Sequence, residues 1–184
     1  MYEAREQEDI LAELQEASKT PTSKIEGTFE NDVLASSSIE FAKTEVELEE
    51  LCKISFAETS YGEYLSLRAE EHGVIRKSAV AATGELQIKG TAGAIVPRGS
   101  LFSTDTGMIF STSTDCTLGT EGTVTVSAIA VLPGKSGNVV AGTIKKIPIS
   151  IAGVQSVSNT EDFSGGFDEE SDAELLQRLL LHVR

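Results

Sequence analysis

At 184 residues the chain is long enough for one domain, or for a small domain with a helical arm, and for a core that needs no disulfide staples. Its two cysteines, Cys52 and Cys116, lie far apart and match neither a disulfide framework nor a metal-binding pair, so they read as free thiols in a reducing compartment. A net charge of −14, no apolar run near the ~20 residues of a membrane span and no basic start for a signal peptide leave nucleic acid, membrane and export aside, and imply synthesis in the cytoplasm.

The first predicted helix lies within Tyr2 to Ala17, rich in Glu, Ala, Leu and Gln, with Ile10, Leu11 and Leu14 at helical spacing. Thr20 to Ser23, with Pro21 among them, interrupt it, and a linker runs to Gly27. From Asn31 to Phe56 the pattern is strongly helical, with Asn31 or Asp32 as the expected cap. Leu34, Phe41 and Leu48 recur at seven-residue steps, Cys52 and Phe56 extend that stripe, and Ile39 and Val46 make a second strip. Two apolar strips on one helix predict packing against both its own domain and another chain, with a single broad core face as the alternative. Tyr61 to Glu71 predicts a further short helix that stops at Gly73, where glycine suits a left-handed cap.

Beyond Gly73 the period changes from helical to two-residue. Val80, Ala82, Leu86 and Ile88 alternate with polar or small neighbours, the pattern of a strand with one buried face. Further strands are predicted at 94–96, 101–103, 108–116, 123–132, 143–149 and 154–158, separated by turns on proline or glycine such as Pro97-Arg98-Gly99 and Pro133-Gly134. Short strands with close turns predict a mainly antiparallel sandwich or open barrel. Gly165-Gly166 then breaks the chain, and Ser171 with Glu174 forms a capping box before Leu175, Leu176, Leu179, Leu180 and Val183. The expected class is therefore α+β, with a helical arm over 1–73, a β-rich domain over 74–160, and the start of a C-terminal helical region over 161–184 that the chain is expected to leave unfinished.

Charge follows the same division. Lys and Arg against Asp and Glu number 6 to 18 up to Gly73, 7 to 4 from Val74 to Thr160, and 2 to 7 thereafter, so the acid lies in the helices. Such an arm repels phosphate backbones, and the weakly basic middle has no Lys or Arg cluster interleaved with aromatics.

Side chains that carry chemistry are sparse. Gly134-Lys135-Ser136 looks like the end of a phosphate-binding loop, but Ile129 stands where that loop needs its first glycine. His72 and His182 are the two histidines, without the spacing that places two imidazoles on one helix face, and no Gly-x-Ser-x-Gly elbow occurs around Ser111 or Ser113. Asp168, Glu169, Glu170 and Asp172 lack the alternating ligands of a calcium loop and are expected instead to complement the dipole of the helix that follows. Phe102, Phe110 and Phe163 are too few for a carbohydrate-stacking platform. No catalytic residue, cofactor or metal is expected.

The joint YGEYLSLRAEEHGVIRK at Tyr61 to Lys77, the β run ATGELQIKGTAGAIVPRGSLFSTDTGMIFSTST with GTVTVSAIAVLPGKSGNVVAGTI, and the stretch GVQSVSNTEDFSGGFDEESDAELLQRLL together resemble the baseplate J-like family of contractile phage tails. The resemblance runs from Tyr61 to Leu180, and more loosely over Glu26 to Phe56. It implies a structural component of the baseplate wedge of a phage, prophage or phage-like particle, located in the tail baseplate. Its implied partners are copies of itself, in a homo-oligomer, and neighbouring wedge or hub proteins. Family members continue past the helix that begins at Ser171. Leu34, Phe41 and Leu48 are the candidate assembly face. The competing expectation is a β-sandwich adhesion or ligand-binding module, which a secretion signal or an exposed aromatic platform would favour.

Overall fold

In the computed structural model, which describes residues 2–21 and 23–183, the chain divides into two compact units, Met1–Ile75 with Asp172–Arg184, and Arg76–Ser171.

The first unit is helical. Helix α1 spans Gln7–Ala17 and α2 spans Phe29–Ile54. The cap of α2 is Thr28, whose side-chain oxygen accepts from the Asn31 amide at 3.4 Å, and not Asn31 or Asp32 as expected. The helix thereby starts before the point where the apolar pattern becomes strong, and Asn31 is freed to face α1. Helix α3, Gly62–Glu71, ends at Gly73 as expected. There the Val74 amide bonds Ala69 O at 2.9 Å and the Gly73 amide bonds Glu70 O at 2.8 Å, with Gly73 at φ +75°. These two bonds satisfy carbonyls that the last turn would otherwise leave open. Val74 then folds back beside Leu65 and Ala69 to meet Leu175 and Leu179 of helix α4, Asp172–Val183, in a small apolar core.

The second unit is a six-stranded antiparallel sheet curled almost into a barrel. Its strands are β1 (Thr83–Gly90), β3 (Leu101–Thr104), β4 (Ile109–Thr112), β6 (Thr123–Ala130), β7 (Ile144–Lys146) and β8 (Val154–Ser158), in the order β7-β3-β4-β6-β1-β8. A two-stranded ribbon pairs β2 (Ile95–Val96) with β5 (Cys116–Thr117). The strand expected over 108–116 is split in two, because the Asp115 carboxylate accepts from the Arg98 amide at 2.7 Å and turns the chain out of the main sheet. Inward residues of the long strands, Leu86, Ile88, Val126, Ala128 and Ala130, meet Phe102, Phe110, Ile144, Val157 and Phe163 in the core. The Phe110 and Phe163 rings pack edge to face with centroids 4.7 Å apart. Val80 does not share this core. It is half exposed, in a bridge with Phe167 ahead of the start of β1.

Where β7 and β8 face each other, Asn159 closes the seam. Its buried amide accepts from the Thr143 and Ile144 amides at 3.1 and 3.0 Å and donates to Val140 O and Glu161 O at 3.0 and 2.8 Å. One side chain so replaces several rungs of a strand ladder.

Candidate functional site

Helix α2 would be expected to bury its apolar strips, yet its fully buried residues are Asn31, Ser38 and Glu45, at seven-residue steps. Helix α1 and the segment before it lie along this polar stripe. Gln15 Nε2 donates to Asn31 Oδ1 at 2.8 Å, and Gln7 Nε2 donates to Ser38 Oγ at 2.7 Å. The Arg5 amide and guanidinium both reach Glu45, the amide at 3.0 Å, while Arg5 Nη1 also reaches Glu13 at 2.6 Å. Glu49 accepts from the Ala4 amide at 2.9 Å. Arg5 hydrogen bonds hold the Glu45 carboxyl down at about 2, against an ordinary value of 4.5, and Glu45 with Glu13 raises the Arg5 guanidinium in turn. At the far end, the Lys24 ammonium donates to Ser18 O at 2.7 Å, a cation placed at the negative end of α1.

With α1 on the polar stripe, both apolar strips remain at the surface. Phe41 is 52 % and Leu48 46 % exposed, and Leu34, on the same strip, is half-buried. Phe41 and Leu48 line a groove of about 440 Å³ whose other wall is Ile10, Leu14 and Ala17 of α1. On the opposite flank, Ile39 and Val46 line a wider groove beside Ala4 and Gln7. The three candidate assembly residues thus share one side of α2, next to α1. Between the strips runs the polar stripe, which apolar periodicity does not register. Its trace is in the sequence, in that Asn31, Ser38 and Glu45 each stand three residues before Leu34, Phe41 and Leu48.

The remaining candidates fall in separate places. Lys135 lies in a short 3-10 turn, where its amide donates to Asp168 Oδ1 at 2.8 Å and its ammonium lies 3.7 Å from the same carboxylate, so an acid holds the amide that a phosphate loop would offer to its ligand. Of the acidic stretch, Asp172 stands in the first turn of α4 as expected, while Asp168 and Glu170 are engaged elsewhere. Glu170 is buried, accepts from the Lys77 amide at 3.0 Å and pairs backbone to backbone with Lys77, while Asp172 accepts from the Gly62 amide at 2.8 Å. His72 caps α3 and His182 lies in the last turn of α4, both exposed. Phe102, Phe110 and Phe163 are core residues. Among the described residues no three His, Cys, Asp or Glu side chains gather as a metal would need, and no helix is long and apolar enough to cross a membrane.

The barrel is the part that a family model covers. Residues 85–166 match the family model of the Baseplate J-like protein barrel domain. This segment is a Baseplate J-like barrel. The chain is 34 % identical to the baseplate protein gp47 of Escherichia phage Mu over 61 % of its own length and 31 % of that protein. It is 32 % identical to the Mu-like prophage FluMu protein gp47 of Haemophilus influenzae over 68 % of its length and 36 % of the relative's. Against the phage-like element PBSX protein XkdT of Bacillus subtilis it is 29 % identical over its whole length and 49 % of that protein. The chain therefore spans about a third to a half of the curated relatives it matches. A chain of the anti-feeding prophage baseplate shares the fold, with a TM-score of 0.51 at 11 % identity, over 96 % of this chain and 51 % of that one. Within the Baseplate J-like barrel, Phe102, Phe110, Ile144 and Phe163 are inward residues, and the α1–α2 pair lies before it in sequence.

Proposed function

We propose that the chain is a structural component of the baseplate of a contractile phage tail, or of a prophage or phage-like particle, and that it works by contact with other subunits instead of by chemistry on a small molecule. The observation that carries this reading is the Baseplate J-like barrel preceded by a long helix whose apolar strips are at the surface while its buried stripe is polar. The names of the relatives supply the setting. A rigid barrel and an amphipathic helix suit an assembly role, since a helix offers its apolar strip to a groove or to further helices. We place Leu34, Phe41 and Leu48 on the face that meets other copies of the chain or neighbouring wedge and hub proteins. The chain is made in the bacterial cytoplasm and built into the tail there.

Co-expression with the neighbouring tail proteins, followed by electron microscopy, tests the reading. The parent chain should enter a baseplate assembly. Phe41→Glu should fold and yet lose co-assembly by at least about tenfold, as expected for a central anchor of an interface. A folded Phe41→Glu chain that enters the assembly as the parent does would remove that face from the proposal.

A further inference from the structure

Antiparallel helices ordinarily meet through interdigitated apolar side chains, so the seat of α1 on α2 is unusual in its chemistry. Of the α1 side chains, Ile10 alone is fully buried, and the contacts that fix register are hydrophilic: Arg5 to Glu45, Gln7 to Ser38 and Gln15 to Asn31. The helix is 11 residues long, and its N-cap residue Glu6 makes no side-chain capping bond. A helix of that length does not persist in water alone. It is therefore held by its latches, and water can replace latch bonds at small net cost, whereas reopening an apolar seam would expose surface that water disfavours. The position of α1 matters because it forms one wall of the groove containing Phe41 and Leu48.

We infer that α1 is a releasable strap. The segment from Tyr2 to Ala17 is latched to the polar stripe of α2 by Arg5, Gln7 and Gln15, half-covers Phe41 and Leu48, and swings off as a unit while α2 stays helical. Release widens the face a partner helix can occupy and bares Asn31, Ser38 and Glu45, polar groups that can set the register of the incoming helix. The use of the widened face rests on the assembly reading above; the release itself does not.

The chain carries its own reporters. Cys52 is half-buried, continues the seven-residue stripe of Asn31, Ser38 and Glu45, and stands one turn of α2 beyond Glu49, which the Ala4 amide of the strap bonds at 2.9 Å. Cys116 is half-buried in β5 of the other unit. Labelling of the full chain with an aromatic disulfide, resolved thiol by thiol by mass spectrometry, reads the strap directly. In the triple variant Arg5→Ala, Gln7→Ala, Gln15→Ala, Cys52 should react about tenfold or more faster than in the parent while Cys116 keeps its rate, as local opening requires. Arg5→Lys, which keeps the charge and loses the forked geometry, should fall between the two. A Cys52 rate unchanged in the triple variant would overturn the strap. Equal acceleration of both thiols in the triple variant and in Arg5→Lys would overturn it as well, because the latches would then hold the whole fold. Labelling is read on the chain alone, so its outcome is independent of whether Phe41→Glu disrupts co-assembly.

Discussion

Glu45 ties the arm to pH in a direction that can be worked out. Its carboxyl is held at about 2 in the folded chain against 4.5 in an unfolded one, chiefly by Arg5 hydrogen bonds, with the Tyr2 phenol and the Arg5–Glu13 pair around it. A depressed carboxyl contributes stability that is fully present above 4.5 and is lost as pH falls toward 2. Because the reactive thiolate falls about tenfold per pH unit there, the readout is the ratio of the Cys52 to the Cys116 labelling rate, which should climb in the parent as pH falls over that window, and in Glu45→Gln should be raised already at neutral pH and climb less. A parallel pH profile in both chains would count against the pair. Asn159 is the corresponding residue of the β unit. Asn159→Leu strands two amides and two carbonyls, and an unmatched buried polar group costs roughly 1–3 kcal/mol. Urea unfolding should fall by at least about 2 kcal/mol on the same basis, with the Thr143 and Ile144 amides losing hydrogen-exchange protection first. Neither residue was legible beforehand. Hydrophobic periodicity scores apolar positions, so a buried Glu on an acidic helix looks like solvated charge, and a lone Asn after a strand looks like a turn.

Most elements were legible, for identifiable reasons. In β1 and β6 the two-residue alternation is strict at Leu86, Ile88, Val126, Ala128 and Ala130, and these are the side chains the core takes. The break in the run over 108–116 is not legible because Ser113 and Thr114 bend the chain without glycine or proline, beside an Asp115 carboxylate whose partner, the Arg98 amide, lies on another segment. The position of α1 was legible as a helix but not as a partner of α2, since polar pairs leave no periodic apolar trace. Close backbone approach is a further property hidden at the level of single elements. Gly90, at the end of β1, has no room for a side chain, because a Cβ there would lie 2.0 Å from Gly153 O. Gly90→Ala must displace backbone, and by the usual cost of overpacking should lower unfolding stability by about 1–3 kcal/mol in urea titration. Gly93, with open space around it, carries positive φ instead, so its replacement tests conformational strain without a clash.

Across the whole chain, acid is unevenly shared. The helical segment up to Gly73 holds 18 of the acidic residues and the strips of α2, while the segment from Val74 to Thr160 is weakly basic and holds the larger apolar core, with Ile95, Ile129, Leu132 and Val140 still at its surface. Within the second unit, the Lys77–Glu170 pairing fastens the chain on either side of the barrel to itself.

The pairing of β1 with β8 has a consequence in time. Ile88 lies opposite Val157, so the ribosome must release nearly the entire β region before the first strand finds its second neighbour. Contacts of such long sequence separation form slowly. Meanwhile the acidic helices have already emerged with their oily edges bare, and like charge on sibling chains is what keeps them apart. Pulse proteolysis of nascent chains stalled at increasing lengths should find β1 cleavable until residues beyond Ser158 have left the exit tunnel, and protection at shorter lengths would show that the sheet is finished in some other sequence of events.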